Sequence, residues 1–425
     1  MCVSGFVRWR YIVPLASLLA VSILSAQETW SQSYVGSSTE MHRFYSGGKW
    51  GYIDRRGVVL VKPRFEWAMD SSEGLAAVED SDGTCGYIRR DGNWAAKLPP
   101  KAWQSGSFSE GRAWFKQKLG DEKLWGCIAS NGDIVVAPKY RSCKPFSEGL
   151  AVVGVNGGRS SSGGDETRYG YIDRSGELVI PAKYRYASQF CKGRAFVASD
   201  DGQLKCIDRD GKQVFTVAFP DDDGTLRVNV GPLLEERAAI SLYRYQKGVG
   251  TTLLKRGVLT TNGRVIWLPK NRMLDNSFSE GLAAVLEEGT SADRARFRQR
   301  KFGFVDVEGR IVIHARFDAV GEFSEGLCRV LKDGVWQYID RSGRVILKGR
   351  KGQEWNDAED FYDGLARVHI GGALQGVTNL SAWWKGGCWY YINRKGQIVA
   401  KCREDGDGYI TPGFGEEYLK VDGLG

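Results

Sequence analysis

Six acids stand at matching places along the chain: Glu73, Glu110, Glu148, Glu280, Glu325 and Asp363, each followed by a glycine. Gathered on one rim of a folded array, such carboxylates could hold cations or basic ligands. The triplet Ser-Glu-Gly is also an ordinary turn, its acid solvated or taking nearby backbone N–H groups, and that is the expectation. A second series places Asp beside Arg, in Asp54/Arg55, Asp173/Arg174, Asp208/Arg209 and Asp340/Arg341. A ladder of guanidiniums could grip phosphate or anionic glycans. Surface charge that pairs with neighbouring segments is the commoner use of such residues.

Two further groups have chemical shapes of their own. Arg403–Thr411, REDGDGYIT, puts Asp405, Asp407, Gly408 and Ile410 at positions three, five, six and eight of a calcium loop. Positions one and twelve would be Arg403 and Phe414, which supply no ligand, so a plain turn is expected. Trp67, Trp103, Trp114, Trp355, Trp383 and Trp384 exceed what the repeated phrases require and are candidates for exposed aromatics. Core packing is the default for Trp. The Trp383-Trp384 pair is the strongest candidate for a binding platform, because neighbours on a strand face opposite ways.

Catalytic chemistry finds little purchase. His42, His314 and His369 are scattered, and the chain has no G-x-S-x-G, no H-E-x-x-H and no phosphate-cradling glycine loop. Carboxylate-only hydrolases need no histidine, yet 51 acids single out no pair. The eight cysteines after Cys2 have no C-x-x-C spacing, which speaks against zinc. Disulfides and buried free thiols fit them equally well. The expectation is a protein with no catalytic residue, no cofactor and no metal.

The elements that carry these residues repeat. FSEGLAVV at Phe146–Val153 returns as FSEGLAAV at Phe278–Val285, FSEGLCRV at Phe323–Val330 and FYDGLARV at Phe361–Val368. A second phrase, WGYIDRRGVVLV at Trp50–Val61, recurs with its central aliphatic residue at 53, 88, 128, 172, 207, 259, 305, 339 and 392. Within it Trp50, Gly51 and Tyr52 alternate as a strand does, and Asp54 with Gly57 frames a turn. Asp173 with Gly176, Asp306 with Gly309 and Asp340 with Gly343 repeat that turn; Gly126, Gly170 and Gly303 repeat the strand glycine. Gly74, Gly149, Gly281, Gly326 and Gly364 mark the polar corner before the next strand. Val58–Val61 supplies a returning strand, and Pro63, Pro138 and Pro181 are expected to stop it. Links such as RFEWA and KYRYA read as irregular.

These phrases resemble the WG-repeat family, bacterial proteins built from tandem β-repeats, and the likeness runs from about Gly48 to Val399. Lys205, Gln337 and Tyr390 replace its glycine; Cys85, Tyr169 and Phe302 replace its Trp. The resemblance implies an all-β repeat scaffold used for binding and brings no catalytic residues. The expected fold is therefore an all-β tandem array of about nine three-stranded β-meanders, because one meander cannot bury both faces. A propeller-like closed ring and an open twisted β-solenoid both remain open. The expected division is a signal peptide over 1–26, a linker over 27–47, the array over 48–400 and a tail over 401–425. The array is degenerate at 212–277 and carries loop insertions at 155–168, 287–300 and 371–387.

Arg8 and Arg10, then the apolar run Tyr11–Leu24 and the small pair Ser25-Ala26, have the layout of a secretory signal. The run is too short to span a bilayer, and nothing else is a transmembrane candidate. Without the two arginines the net charge of +8 becomes 8 − 2 = +6, spread thinly. No basic run marks a nucleic-acid surface. The expectation is an exported, non-enzymatic scaffold, periplasmic, on the outer envelope or secreted, that binds a protein or glycan. The alternatives are a structural or adhesion component of the envelope and, behind it, a carboxylate glycosidase on a propeller-like frame.

Overall fold

A computed structural model describes residues 39–159, 165–200, 202–219, 226–246, 250–274, 278–287, 301–378, 381–403 and 407–408. Glu40–Gly425 forms one compact body, distinct from Met1–Thr39, of which only Thr39 is described. The leader expected over 1–26 and most of the insertion 287–300 lie outside the described residues. All the regular elements described are strands.

The local chemistry of the hairpin is that expected. Asp54 Oδ1 accepts the backbone N–H groups of Arg56 at 2.8 Å and Val58 at 3.0 Å, while Gly57 sits at φ +82°. Asp173, Asp306 and Asp340 hold their turns in the same way. Every meander is present, and its link adds a short further strand. Trp67–Ala68, one residue beyond the strand Val59–Phe65, pairs with Glu79 and Val78 of the following sheet. The chain thus leaves one sheet and enters the next almost without interruption. This gives nine successive antiparallel meanders among the described residues, the first of three strands and the others of four; the eighth, ninth and first are joined edge to edge into one 11-stranded sheet through Trp336↔Trp355 and Tyr45↔Arg403.

The prolines do not stop their strands. Pro63, Pro138 and Pro181 lie inside Val59–Phe65, Ile134–Tyr140 and Leu178–Tyr184. Each falls where the register jumps, as between the pairs Tyr52↔Val61 and Trp50↔Phe65, so no ladder N–H is required of it. The bulge presses on the opposing glycine. A Cβ on Gly51 would lie 2.6 Å from the Val61 carbonyl oxygen, and one on Gly303 would lie 2.4 Å from that of Ile313. Lys205 and Gln337 tolerate side chains because each is in register there, opposite Thr216 and Lys348; Tyr390, opposite Lys401, carries one although the register shifts beside it.

Two expected loops are ladders instead. Val155 pairs with Arg168 and Asn156 with Thr167, so the insertion over 155–168 prolongs a hairpin that its β-branched Val155 and Thr167 can sustain. Ala373–Thr378 and Ser381–Lys385 pair across the insertion over 371–387, and Asp407–Gly408 joins them. The degenerate stretch over 212–277 holds a full sheet, with Arg237–Gln246 and Gly250–Thr260 as its long central pair. The strand His42–Ser46 begins before the expected array boundary at 48 and pairs with Lys49–Ile53.

The core lies between consecutive sheets. Leu150, Tyr171 and Ile180 of the fourth unit pack on Phe190, Ala195 and Ile207 of the fifth, and the pattern repeats along the chain. Nine units in an open row would share eight such interfaces. Among the described residues there are nine buried clusters, one for each neighbouring pair and one joining Tyr391 and Leu365 of the ninth unit to Ile53 of the first. Tyr45 also pairs in parallel with Arg403. The array closes on itself.

Candidate functional site

The polar corners form a circuit. Ser72 Oγ donates to the Phe108 carbonyl at 2.9 Å, Ser109 to that of Phe146 at 2.8 Å and Ser147 to that of Phe190 at 2.8 Å, each one unit ahead. Ser279 and Ser324 do likewise with Phe323 and Phe361, both at 2.6 Å. The acids follow the same rule. Glu73 accepts the N–H groups of Glu110 and Gly111, and Glu110 those of Glu148 and Gly149. Glu280 and Glu325 accept those of Gly326 and Gly364. The acid at each corner has left-handed φ, between 48° and 55°, which turns the next N–H groups toward the preceding carboxylate. The expected turn is present, but its acids bond the next unit rather than their own.

Lys192 interrupts the series in the fifth unit, where a carboxylate is needed to accept N–H groups. Its ammonium pairs instead with the side chain of Glu236, which stands where other corners have glycine. The arginine ladder is likewise drawn into these contacts. Arg174 Nη2 donates to Glu110 Oε2 at 2.7 Å, and Arg394 Nη2 to the Glu325 carbonyl at 2.7 Å. Burial would raise the Glu110 carboxyl, but Arg174 and the two N–H groups hold it below the usual range.

The circuit changes character where the ring closes. The ninth unit has Tyr362 in the serine position, and its hydroxyl passes over the first unit to the Ser71 carbonyl of the second, 2.9 Å away. Ser71 occupies the place that Phe108 and Phe146 hold elsewhere, and its Oγ donates to Glu40 at 2.6 Å. Around this junction charged groups concentrate. Asp70 accepts the Arg43 N–H at 2.9 Å and faces the guanidiniums of Arg43 at 3.6 Å and Arg367 at 3.8 Å. Burial would raise its carboxyl; Arg367 and then Arg43 overcome that and hold it below the ordinary range. His42, almost fully buried, sets Nε2 3.5 Å from Asp363 Oδ2. Burial and Glu40 push the Tyr362 phenol well up.

Arg43, Asp70, Ser71, Ser72, Ser107 and Tyr362 line a cavity of about 300 Å³ at this seam. It sets the Arg43 guanidinium and the Ser107 hydroxyl beside the Asp70 carboxylate and the hydroxyl oxygens of Ser72 and Tyr362, a lining able to hold a polar ligand by hydrogen bonds. Among the described residues no three His, Cys, Asp or Glu side chains are grouped to hold a metal ion.

The aromatic candidates divide. Trp67 is exposed. Trp114 and Trp355 are buried, the default for Trp, and drop out as exposed candidates. Trp114 stacks on Phe146 at 6.0 Å and donates to the Lys144 carbonyl, and Trp355 takes a core position against Tyr338. Both fill inter-sheet space that only a large side chain can close. Trp383 and Trp384 lie on a strand opposite Gln375 and Leu374, but their side chains, like that of Trp103, lie outside the described residues. So does most of the stretch over 403–411. The eight cysteines are free thiols, with Cys127, Cys206, Cys328 and Cys402 buried. Arg43 and Asp70 were missed because neither belongs to the repeated phrase.

A model of the WG containing repeat matches residues 50–83, 125–158, 169–201 and 302–336. No curated protein matches the chain. Solved structures similar in fold include a eukaryotic initiation factor, with TM-score 0.43 and 10% identity over 78% of this chain and 96% of that one. BamB from Moraxella catarrhalis gives 0.38 and 12% over 72% and 93%. The β-propeller domain of the Trilobed protease from Pyrococcus furiosus gives 0.38 and 7% over 71% and 98%.

Proposed function

We propose that this chain, a WG-repeat protein, is an exported, non-enzymatic scaffold that binds a protein or glycan ligand at the seam of its ring. The observation that carries the reading is the gathering of charged and hydroxyl side chains on one cavity at the seam. The repeated acids and serines are occupied in bonds between units, and arginines such as Arg174 and Arg394 join them. At the seam, Tyr362 replaces serine and Ser71 replaces phenylalanine, and Arg43, Asp70, Ser72 and Ser107 converge on an open cavity. Export rests on the leader-like residues 1–26.

The test uses the full chain and the variant Ser107→Trp, which fills the cavity from an exposed lining position without deleting any bond described above. Envelope glycans and captured, purified proteins would be titrated against both. A saturable ligand whose affinity falls at least about tenfold in the variant, a difference near 1.4 kcal/mol, supports the reading. Equal binding by both removes the seam as the site. Self-association without a ligand would favour a structural role, and turnover of a glycan would make the protein an enzyme. Cell fractionation checks export.

A further inference from the structure

The junction of the eighth and ninth units has a longer link than that of the first and second. In the first unit two residues, Pro63 and Arg64, separate Lys62 from the aromatic Phe65. In the eighth unit Lys348 corresponds to Lys62, and Trp355 takes the place of Phe65, pairing with Trp336 as Phe65 pairs with Trp50. Six residues, Gly349–Glu354, now lie between them, an insertion of 6 − 2 = 4. The insertion is itself held in shape. The Gln353 N–H donates to the Arg350 carbonyl at 2.8 Å, Gly352 has φ +81°, and Glu354 Oε1 accepts the Gly352 N–H at 2.9 Å.

Beside this loop lies a groove of about 510 Å³, lined in part by Gly349, Arg350 and Gln353. Its floor is apolar and belongs to both units, with Leu347 and Trp355 on one side and Ile370 and Ile392 on the other. Its rim is basic. Lys348, Arg350 and Lys395 are exposed there, and no carboxylate is among the lining residues. Among the described residues none of these three cations has an ion-pair partner, whereas cations elsewhere, such as Arg174 and Lys192, do. An apolar slot ringed by unpaired positive charge complements one kind of occupant.

We propose that this groove binds an acidic peptide segment of a partner protein, one large apolar side chain entering the slot and flanking carboxylates meeting Lys348, Arg350 and Lys395. A sugar would stack on an open aromatic face, but Trp355, the groove's aromatic residue, is buried and the rest of the floor is aliphatic. The site is separate from the seam, so either can fail without the other.

The test is fluorescence polarisation of the full chain with a labelled peptide carrying one phenylalanine flanked on both sides by glutamates. Binding is expected at low salt and is expected to weaken toward about 0.5 M salt, where exposed charges are screened. It should fall at least about tenfold in Lys348→Glu/Arg350→Glu and when the peptide's phenylalanine becomes alanine. Lys62→Glu, the counterpart position in the first unit, should leave it unchanged. All of these substitutions are on exposed side chains, and thermal melts would verify that the variants fold. Binding that survives the double charge reversal overturns the proposal, as does an equal loss in Lys62→Glu. Competition by an acidic polysaccharide but not by unlabelled peptide would assign the groove to glycans instead. A concentration-dependent dimer abolished by the same charge reversal would assign it to a second copy of the chain.

Discussion

Glu110 of the third unit accepts the backbone N–H of Gly149 in the fourth at 2.8 Å, with the Glu148 N–H at 2.7 Å on its other oxygen. One side chain therefore satisfies two donors of the neighbouring unit. Glu110→Ala would leave both without a protein partner, and their partial exposure lets water replace some of what is lost. The expected destabilisation is about 1–2 kcal/mol. Urea unfolding should show it as a lower midpoint. A change within error would mean that the corner circuit contributes little.

The Tyr391 hydroxyl donates to the Arg43 carbonyl at 2.8 Å, closing the ring, and the Tyr171 hydroxyl donates to the Ser188 carbonyl at 2.8 Å inside it. Tyr391→Phe and Tyr171→Phe should each cost about 1 kcal/mol, since each leaves one carbonyl without its donor. If the seam is an interface like the rest, the two losses will match in thermal melts. A neutral Tyr391→Phe beside a costly Tyr171→Phe would argue that the ring is open in solution.

Gly303 faces a bulge, and Gln337 holds the same place in a unit that is in register there. Gly303→Ala would bring its Cβ to 2.4 Å from the Ile313 carbonyl oxygen, so backbone must move. A loss of about 2 kcal/mol or more is expected, as for a strained core position. Gln337→Ala should change stability by far less. Equal effects in calorimetry would remove the bulge as the reason for glycine.

Asp357 offers a pH signature. Burial lifts its carboxyl from 3.8 to about 6, against the opposing pull of the Ala358 N–H and Arg329. Because its folded pKa is raised, its contribution is fully present below about pH 4 and is lost as pH rises through about 6. At neutral pH the charged form is a burden of roughly 1–3 kcal/mol, the lower end applying because the residue is partly exposed. Asp357→Asn should therefore melt higher than the parent near neutral pH, with the gap closing toward pH 4. A gap that widens on acidification would contradict the assignment.

What could be read from the sequence was what is local. The Asp54-to-Gly57 turn is decided within four residues, so its pattern announces the hairpin wherever it recurs. The corner acids were visible as a series, but their partners are 37 to 46 residues ahead, and a turn motif carries no sign of that reach. The strand prolines misled because a bulge excuses them from the ladder, and a bulge shows only once two strands are paired. Tyr362 stands where other corners have serine. It is the longer side chain that spans a place where the circuit skips a unit. The groove at the eighth unit follows from four added residues, which mean nothing until Trp355 is seen standing where Phe65 stands elsewhere.

The contact of Tyr391 with the Arg43 backbone joins positions 348 residues apart, whereas most other bonds between units join residues fewer than 50 apart. During synthesis each meander can form as soon as its own stretch emerges, since its ladders are local. Closure has to wait for the last unit. Until then the first sheet presents an uncovered apolar face, with Ile53 and Phe44 awaiting their partners. That interval is when the growing chain is most open to pairing with the wrong copy. The seam is thus the slow, high-separation step of an otherwise local assembly, and variants there should change the yield of folded protein more than the stability of what has folded.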